Sequence, residues 1–256
     1  MSKMKKAFFN GKACIPFITC GDPDLDTTKK AIIEMEQAGA DVIELGIPFS
    51  DPTVEGPVVQ EANLRALQNN VTTDHIMEMV EEVRETVTIP LVFVTYANVV
   101  YSYGVDAFAK KCKEVGVQGL ILPDIPFEEK YEFESACQAH GIHFIASIAP
   151  TSKARIGKIA KDATGFLRCE TAVEMPGKEV RKMVLEMVEK AKEQQDIPCV
   201  VHYEHVTPEQ ATKISDKVQG VILGSSIVKL CEKYGHQAPK YIGTYVKEIK
   251  DAMNFA

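Results

Sequence analysis

The strongest constraint on this chain is a repeated alternation. A short, uninterrupted apolar segment is broken by Gly, Pro or Asp, and a stretch long enough for a helix follows. The apolar segments are Ile15–Cys20, Val42–Leu45, Pro90–Tyr96, Gln118–Pro123, His143–Ile148, Gly165–Cys169, Pro198–Tyr203 and Gln219–Leu223. Helical stretches are expected over 26–38, with Asp26 as the cap and Gly39 as the stop, and over 58–67, 72–87, 105–115, 128–140, 153–162 and 179–194. A further helix begins near Pro208, where proline is tolerated in the first turn, and closing helices follow Ser226. Strands apolar on both faces suit a parallel sheet covered by helices. Eight such units in 256 residues, with no linker or low-complexity segment, predict one (β/α)8 barrel domain, 1–256, with extra N-terminal and loop helices. The alternative, an open doubly wound sheet, would show a glycine-rich dinucleotide turn after its first strand, and Gly21-Asp22-Pro23 is not one.

Composition narrows the function class. The net charge is −7 and no basic cluster interleaves with aromatics, which argues against nucleic acid. No apolar run reaches the roughly 18 residues that a membrane span needs. The segment Met1 to Asn10 is basic but lacks the apolar core of a secretory signal, so a cytosolic location is expected. The seven cysteines are odd in number, form no CxxC pair, and include four in apolar strands. They read as buried reduced thiols acting as small hydrophobes.

In a barrel the active site lies at the C-terminal ends of the strands. That directs attention to Phe17, Glu44, Tyr96, Asp124, Ile148, Arg168, His202 and the Gly224 turn. Glu44 sits inside an apolar strand, where a charge is costly unless it is paired or serves a working site. The loop after it carries Pro48, Pro52, Gly56 and Pro57, and two more carboxylates, Asp51 and Glu55. A strand-end acid can simply cap a helix or meet a lysine. The sharper reading pairs Glu44 and Glu55 as acid/base groups facing one pocket.

The motifs Pro16-Phe-Ile-Thr-Cys-Gly-Asp-Pro23, Glu44-Leu-Gly-Ile-Pro-Phe-Ser-Asp-Pro52, Tyr96-Ala-Asn98, Leu122-Pro-Asp124, Ala149-Pro-Thr151, Thr207-Pro-Glu-Gln210 and Gly224-Ser-Ser-Ile-Val-Lys229 span residues 14 to 230. In order and spacing the chain resembles the alpha subunit of tryptophan synthase, and the Glu44 segment is the most specific of the matches. The resemblance implies a barrel lyase that cleaves indole-3-glycerol phosphate to indole and glyceraldehyde 3-phosphate by a retro-aldol route, with no metal, Schiff base or cofactor in this chain. Glu44 would be the main general acid/base. Glu55 falls where the family usually has Asp, which stabilises the indole N–H. Phe17, Tyr96, Ile121, Ile148 and Ile222 would line the indole pocket, while Gly177, Gly224 and Ser225 would serve the phosphate. The partner would be a beta-type subunit carrying pyridoxal phosphate, met through the loops near Asp51 and residues 170–178.

Two segments depart from the family pattern. The sixth strand usually ends in Tyr and leads into Gly-Val-Thr-Gly. Here Arg168 replaces the tyrosine, Glu174 a glycine and Pro176 the threonine, and Gly177 remains. The seventh strand usually ends Gly-Phe-Gly-Ile-Ser, and here it reads His202-Tyr-Glu-His-Val206. Glycine lets a backbone approach an anion closely, and side chains at 202 and 204 obstruct that approach. Glu204, Glu170 and Glu174 bring like charge toward a phosphate. One such repulsion at 4 Å is about 4 kcal/mol at an effective dielectric of 20. Period two puts Arg168 with Glu170, and His202 with Glu204, on shared faces, and turns His205 the other way. His202, Glu204 and Glu44 are residue types that hold zinc, but the preferred reading is an ion-pair network of Arg168 with Glu170 or Glu204 and no metal. Two alternatives to the lyase stay open from sequence. One is a divergent or redesigned barrel of this type with a changed ligand and a weakened phosphate site. The other is a non-catalytic subunit that activates a beta-type partner.

Overall fold

The computed structural model describes residues 2–9, 11–171, 177–214 and 216–254, with the backbone alone at 177 and 178. Nine strands form one sheet: β1 (Ala13–Thr19), β2 (Ile43–Gly46), β3 (Leu91–Val94), β4 (Gly119–Ile121), β5 (His143–Phe144), β6 (Ala146–Ile148), β7 (Leu167–Glu170), β8 (Cys199–Tyr203) and β9 (Gly220–Leu223). Their order is β5-β4-β3-β2-β1-β9-β8-β7-β6, and every pairing is parallel. All eight predicted strands are present. The fifth is divided at Ile145 because its first half pairs with β4 and its second with β7. The two ends of the strand row are therefore one continuous segment, and the chain itself bridges the barrel there.

The strands are buried on both faces, and side-chain direction alternates along them. Leu91, Phe93, Leu120, Val221 and Leu223 pack outward toward the helices, as do Leu167, Cys169, Cys199 and Val201 on the other side. Ala13, Ile15, Phe17, Val92, Val94, Ile121, Ile145, Phe166, Val200 and Ile222 form the inner cluster. A fully buried side chain of this size contributes about 1.5–3 kcal/mol. The N-terminal helix Lys3–Ala7 places Met4 in that inner cluster, and the Phe8 ring lies 5.7 Å from that of Phe166. It closes the end of the barrel opposite the strand C-termini. Gly46 makes room at the inner face: a Cβ there would lie 2.8 Å from Cζ of Phe17.

Helix boundaries follow capping chemistry more closely than periodicity suggests. The helix Leu25–Gln37 starts at Asp24, not Asp26. Asp24 has extended backbone and its carboxylate accepts from the Thr27 amide at 2.7 Å. Gly39, with φ +96°, stops the chain after that helix as expected. A helix over Ala97–Tyr103 forms where periodicity predicts none. Asp124 caps it across space, its two carboxylate oxygens each 3.1 Å from the Ala97 amide. The described cysteines are all buried and unbridged. Among the described residues no helix is long and apolar enough to cross a membrane.

Candidate active site

The strand register fixes what meets at the mouth. Phe17 lies beside Glu44, Ser147 beside Arg168, Glu170 beside His202, and His202 beside Ile222. Inward alternation then brings Glu44, Arg168, Glu170 and His202 together at the C-terminal end of the barrel. Glu44 is wholly buried, and neither carboxylate oxygen has a hydrogen-bond partner. Its nearest countercharge is Arg168, with Nε 3.5 Å from Oε1. Burial raises the Glu44 carboxyl, and Arg168 and His202 oppose that rise without cancelling it.

Arg168 is itself buried, and its Nε stands 3.5 Å from Glu170 as well as from Glu44. Burial disfavours the guanidinium, but Glu170, Glu44 and Glu55 outweigh it and push its pKa up, so Arg168 stays cationic. Glu170 receives His202 Nδ1 at 2.7 Å and the Ser147 hydroxyl at 3.5 Å. Burial would raise the Glu170 carboxyl, yet Arg168 and His202 hold it at about 2. The same contact keeps His202 above its ordinary value against the opposing effect of burial. The predicted ion-pair network is present, with Glu170 and Glu44 as the partners of Arg168. Glu204 is not among them. It lies past the end of β8, at the cavity wall, where its Oε1 would be 3.2 Å from a Cβ on Gly56. His205 turns away from the mouth, and its Nδ1 is 2.8 Å from Oγ of Ser226. Among the described residues no group of three or more His, Cys, Asp or Glu is arranged to hold a metal ion.

Glu55 reaches the mouth from the loop after β2. That loop is tethered at several points, one of them the Gln60 side-chain amide donating to the Glu55 carbonyl at 2.8 Å. The Phe49 amide donates to Asn63 Oδ1 at 2.8 Å, and the Val54 amide donates to the Tyr96 hydroxyl at 3.2 Å. Burial raises the Glu55 carboxyl, with Arg168 and His202 acting against it. Two cavities open here. One of about 270 Å³ is lined by Phe17, Glu55, Gly56, Glu204, Gly224 and Ser225, among others. One of about 440 Å³ is lined mainly by Leu122, Ile125, Phe127, Phe144, Ile148 and their neighbours. Val54, Glu55, Arg168, Glu170, Thr171 and His202 border both.

The remaining predicted site residues divide by geometry. Phe17, Gly224 and Ser225 border the smaller cavity, and Ile148 borders the larger. Ile148 nevertheless packs in the outer layer, because inward alternation through Ile145 selects Ser147 instead. Ile121 and Ile222 are buried in the inner cluster and border neither cavity. Tyr96 is also off both cavities. Its ring stacks on Phe49 at 5.0 Å, and burial lifts its hydroxyl to about 12. Gly177 opens the helix Gly177–Lys192, while Glu174 and Pro176 lie outside the described residues. Sequence reasoning missed Ser147, Thr171 and Val94. Counting by two from Ile145 and Val92 would have found the first and last.

Comparison with known proteins bears on what this mouth does. The family model described as tryptophan synthase alpha chain matches residues 2–254. The tryptophan synthase alpha chain of Lacticaseibacillus casei is 41% identical over 256 residues, covering 99% of this chain and 96% of that protein. That of Petrotoga mobilis is 37% identical, covering 98% and 96%. Among solved structures, tryptophan synthase subunit alpha from Legionella pneumophila superposes with a TM-score of 0.91 at 32% identity, covering 100% of both chains. A chain of the tryptophan synthase complex from Pyrococcus furiosus gives 0.86 at 30% identity, covering 94% of this chain and 98% of that one.

Proposed function

The chain belongs to the tryptophan synthase alpha chain family, and we propose that Glu44 and Glu55 are its working carboxylates. It is a lyase of tryptophan biosynthesis that cleaves indole-3-glycerol phosphate to indole and glyceraldehyde 3-phosphate. The family's alpha subunit carries no cofactor, and pyridoxal phosphate belongs to the beta subunit.

Cleavage breaks the bond between indole C3 and the glycerol chain. The glycerol hydroxyl adjacent to that bond loses its proton and becomes the aldehyde. The electron pair of the broken bond returns to the ring, and C3 gains a proton. One group that both takes and gives a proton near neutral pH serves both ends of this exchange. The observation that carries the assignment is Glu44: wholly buried, without a hydrogen-bond partner, and 3.5 Å from a buried arginine. A buried polar group left unsatisfied is retained at a cost, and here it lies on the inner face behind Arg168, bordering neither cavity, so a substrate in the mouth would complete its bonding only by reaching past the arginine. Glu55, between the two cavities, suits a charge partner for the indole N–H as the ring develops positive charge. The apolar wall of Leu122, Ile125, Phe127, Phe144 and Ile148 suits the indole ring. The whole chain acts as one barrel domain.

A beta-type subunit is the partner this reading implies, and the family's solved structures include the complex from Pyrococcus furiosus. The loop near Asp51 and residues 170–178 would meet it, of which 172–176 lie outside the described residues. The test is indole release from indole-3-glycerol phosphate, with and without a beta subunit. Glu44→Gln should abolish release while the barrel stays folded by circular dichroism. Unchanged release in that variant would remove Glu44 from the mechanism.

A further inference from the structure

The turn at Gly224-Ser225-Ser226 begins the helix Ser225–Tyr234, and its backbone could cradle an anion. A side chain already occupies that space. His202 comes so near Gly224 that a Cβ there would lie 2.7 Å from Nε2. Ser226 is engaged by His205 at 2.8 Å.

Charge points the same way. Glu55, Glu170 and Glu204 line the smaller cavity against Arg168 and His202, and Glu44 stands behind Arg168. Among the described residues, four carboxylates therefore stand near two cations. Both cations are held by Glu170, at 3.5 and 2.7 Å. A dianion entering here must displace Glu170 or lie beside uncompensated carboxylates. A neutral hydroxyl end meets the opposite situation. Glu204, Thr171, His202 and Ser225 all border the cavity and offer hydrogen-bond donors and acceptors without charge repulsion.

We propose that this mouth accepts, as a further substrate, the indole-bearing glycerol that carries no phosphate, and cleaves it at least as efficiently as the phosphorylated compound. The step is the same retro-aldol cleavage. The C3–carbon bond breaks, the hydroxyl proton leaves, C3 gains a proton, and the products are indole and the free three-carbon hydroxyaldehyde. No oxidation or reduction occurs. The inference rests on the assignment of Glu44 and Glu55 above. It departs from what a phosphate-binding enzyme would show, because such an enzyme loses rate when the remote binding group of its substrate is removed.

The test compares kcat/KM for indole release from the two substrates, with and without a beta subunit, in the wild-type protein and in the double variant His202→Gly/Glu204→Gly. In the wild type the phosphorylated-to-free ratio should be near or below one. In the double variant, with the cradle reopened, the ratio should rise at least about tenfold, a change of about 1.4 kcal/mol in relative transition-state binding. A wild-type preference for the phosphorylated substrate of about threefold or more overturns this proposal and leaves the lyase assignment standing. Release from neither substrate overturns the lyase assignment, and this proposal with it. Inorganic phosphate provides a readout independent of the variant's folding. It should not compete with the free substrate in the wild type, and competitive inhibition there overturns the proposal.

Discussion

Replacing Arg168 with Met should move the titration of Glu44, and the size of the move follows from the geometry. Glu44 is buried without a hydrogen-bond partner, and Arg168 Nε, at 3.5 Å, is its nearest countercharge. At an effective dielectric of 20, that separation corresponds to a gross attraction of about 5 kcal/mol. Converted at 1.36 kcal/mol per unit, this sets a ceiling of about 3.5 pKa units. The same Nε also serves Glu170 at 3.5 Å, and Met removes a buried charge that itself disfavoured folding, so the measured shift should fall well below that ceiling. An upward shift of about one to two units is expected.

The sign is fixed. Burial already raises the Glu44 carboxyl above its unfolded value, and Arg168 opposes that rise. Without the arginine the carboxyl rises further, and the group takes up a proton instead of remaining an unpaired buried anion. A folded-state pKa above the unfolded one contributes stability that is complete below the unfolded value and is lost as pH rises through the folded one. The variant should therefore lose Tm relative to wild type progressively as pH increases. Two assays report the shift: the 13C resonance of the Glu44 side-chain carboxyl, assigned by its absence in Glu44→Gln, and the Glu44-controlled limb of the pH dependence of kcat/KM for indole release. Both should move to higher pH, and Arg168→Lys should return them most of the way. A Glu44 midpoint unchanged within half a unit would refute the reasoning, whatever happened to the rate.

Two further outcomes follow from the same geometry. Glu170→Gln removes a carboxylate held at about 2, so the wild type should lose stability relative to this variant as pH falls from the ordinary glutamate value toward that point, measured by Tm between the two limits. His202, raised chiefly by Glu170 against burial, should then titrate at lower pH in the variant, as seen in its imidazole NMR resonances. Tyr96→Phe deletes the acceptor of the Val54 amide and loosens the loop that carries Glu55. It should cost about 1 kcal/mol in stability and lower kcat/KM for indole release without moving the Glu44 titration. An unchanged kcat/KM would show that the tether does not position Glu55.

How much of this was legible in the sequence depends on what each residue answers to. Strand positions and inner faces answer to local pattern, so the eight apolar segments and Glu44 on an inner face could be read directly. Period two also placed Arg168 with Glu170 correctly. The pattern failed where a contact across space decided the outcome. Asp124 caps the Ala97 helix from the turn after β4, and no local signal announces that. Glu204 shares the smaller cavity with His202, as period two expects, but it lies beyond the end of β8 and is not a partner of Arg168. Position at the strand end points to Ile148, although the inward member of that strand is Ser147. Tyr96 sits just beyond the end of β3, where its ring turns to Phe49 and its hydroxyl to the Val54 amide. At strand ends, pleat and register give way to the loops, and side-chain direction is set by partners far away in sequence.

The rim residues form a unit, which explains how a mouth can change while its central acid is kept. Arg168 brings a cation beside Glu44, but a buried guanidinium is tolerated only if carboxylates surround it. Glu170 supplies that charge from the same strand, and His202 on the next strand satisfies its other oxygen. His202 in turn fits only because residue 224 has no Cβ. Each member removes a cost created by the one before it, so single reversions would strand a charge or open a void. Their energies cannot be additive, because Arg168 is shared by Glu44 and Glu170, and Glu170 by Arg168 and His202. The chain of dependence ends at Gly224, the residue an anion cradle also requires. A glycine that serves phosphate by lacking a side chain serves the imidazole for the same reason, and the two occupants compete for one space. Glu44, Arg168, Glu170, His202 and Gly224 thus form a single network, not separate divergences.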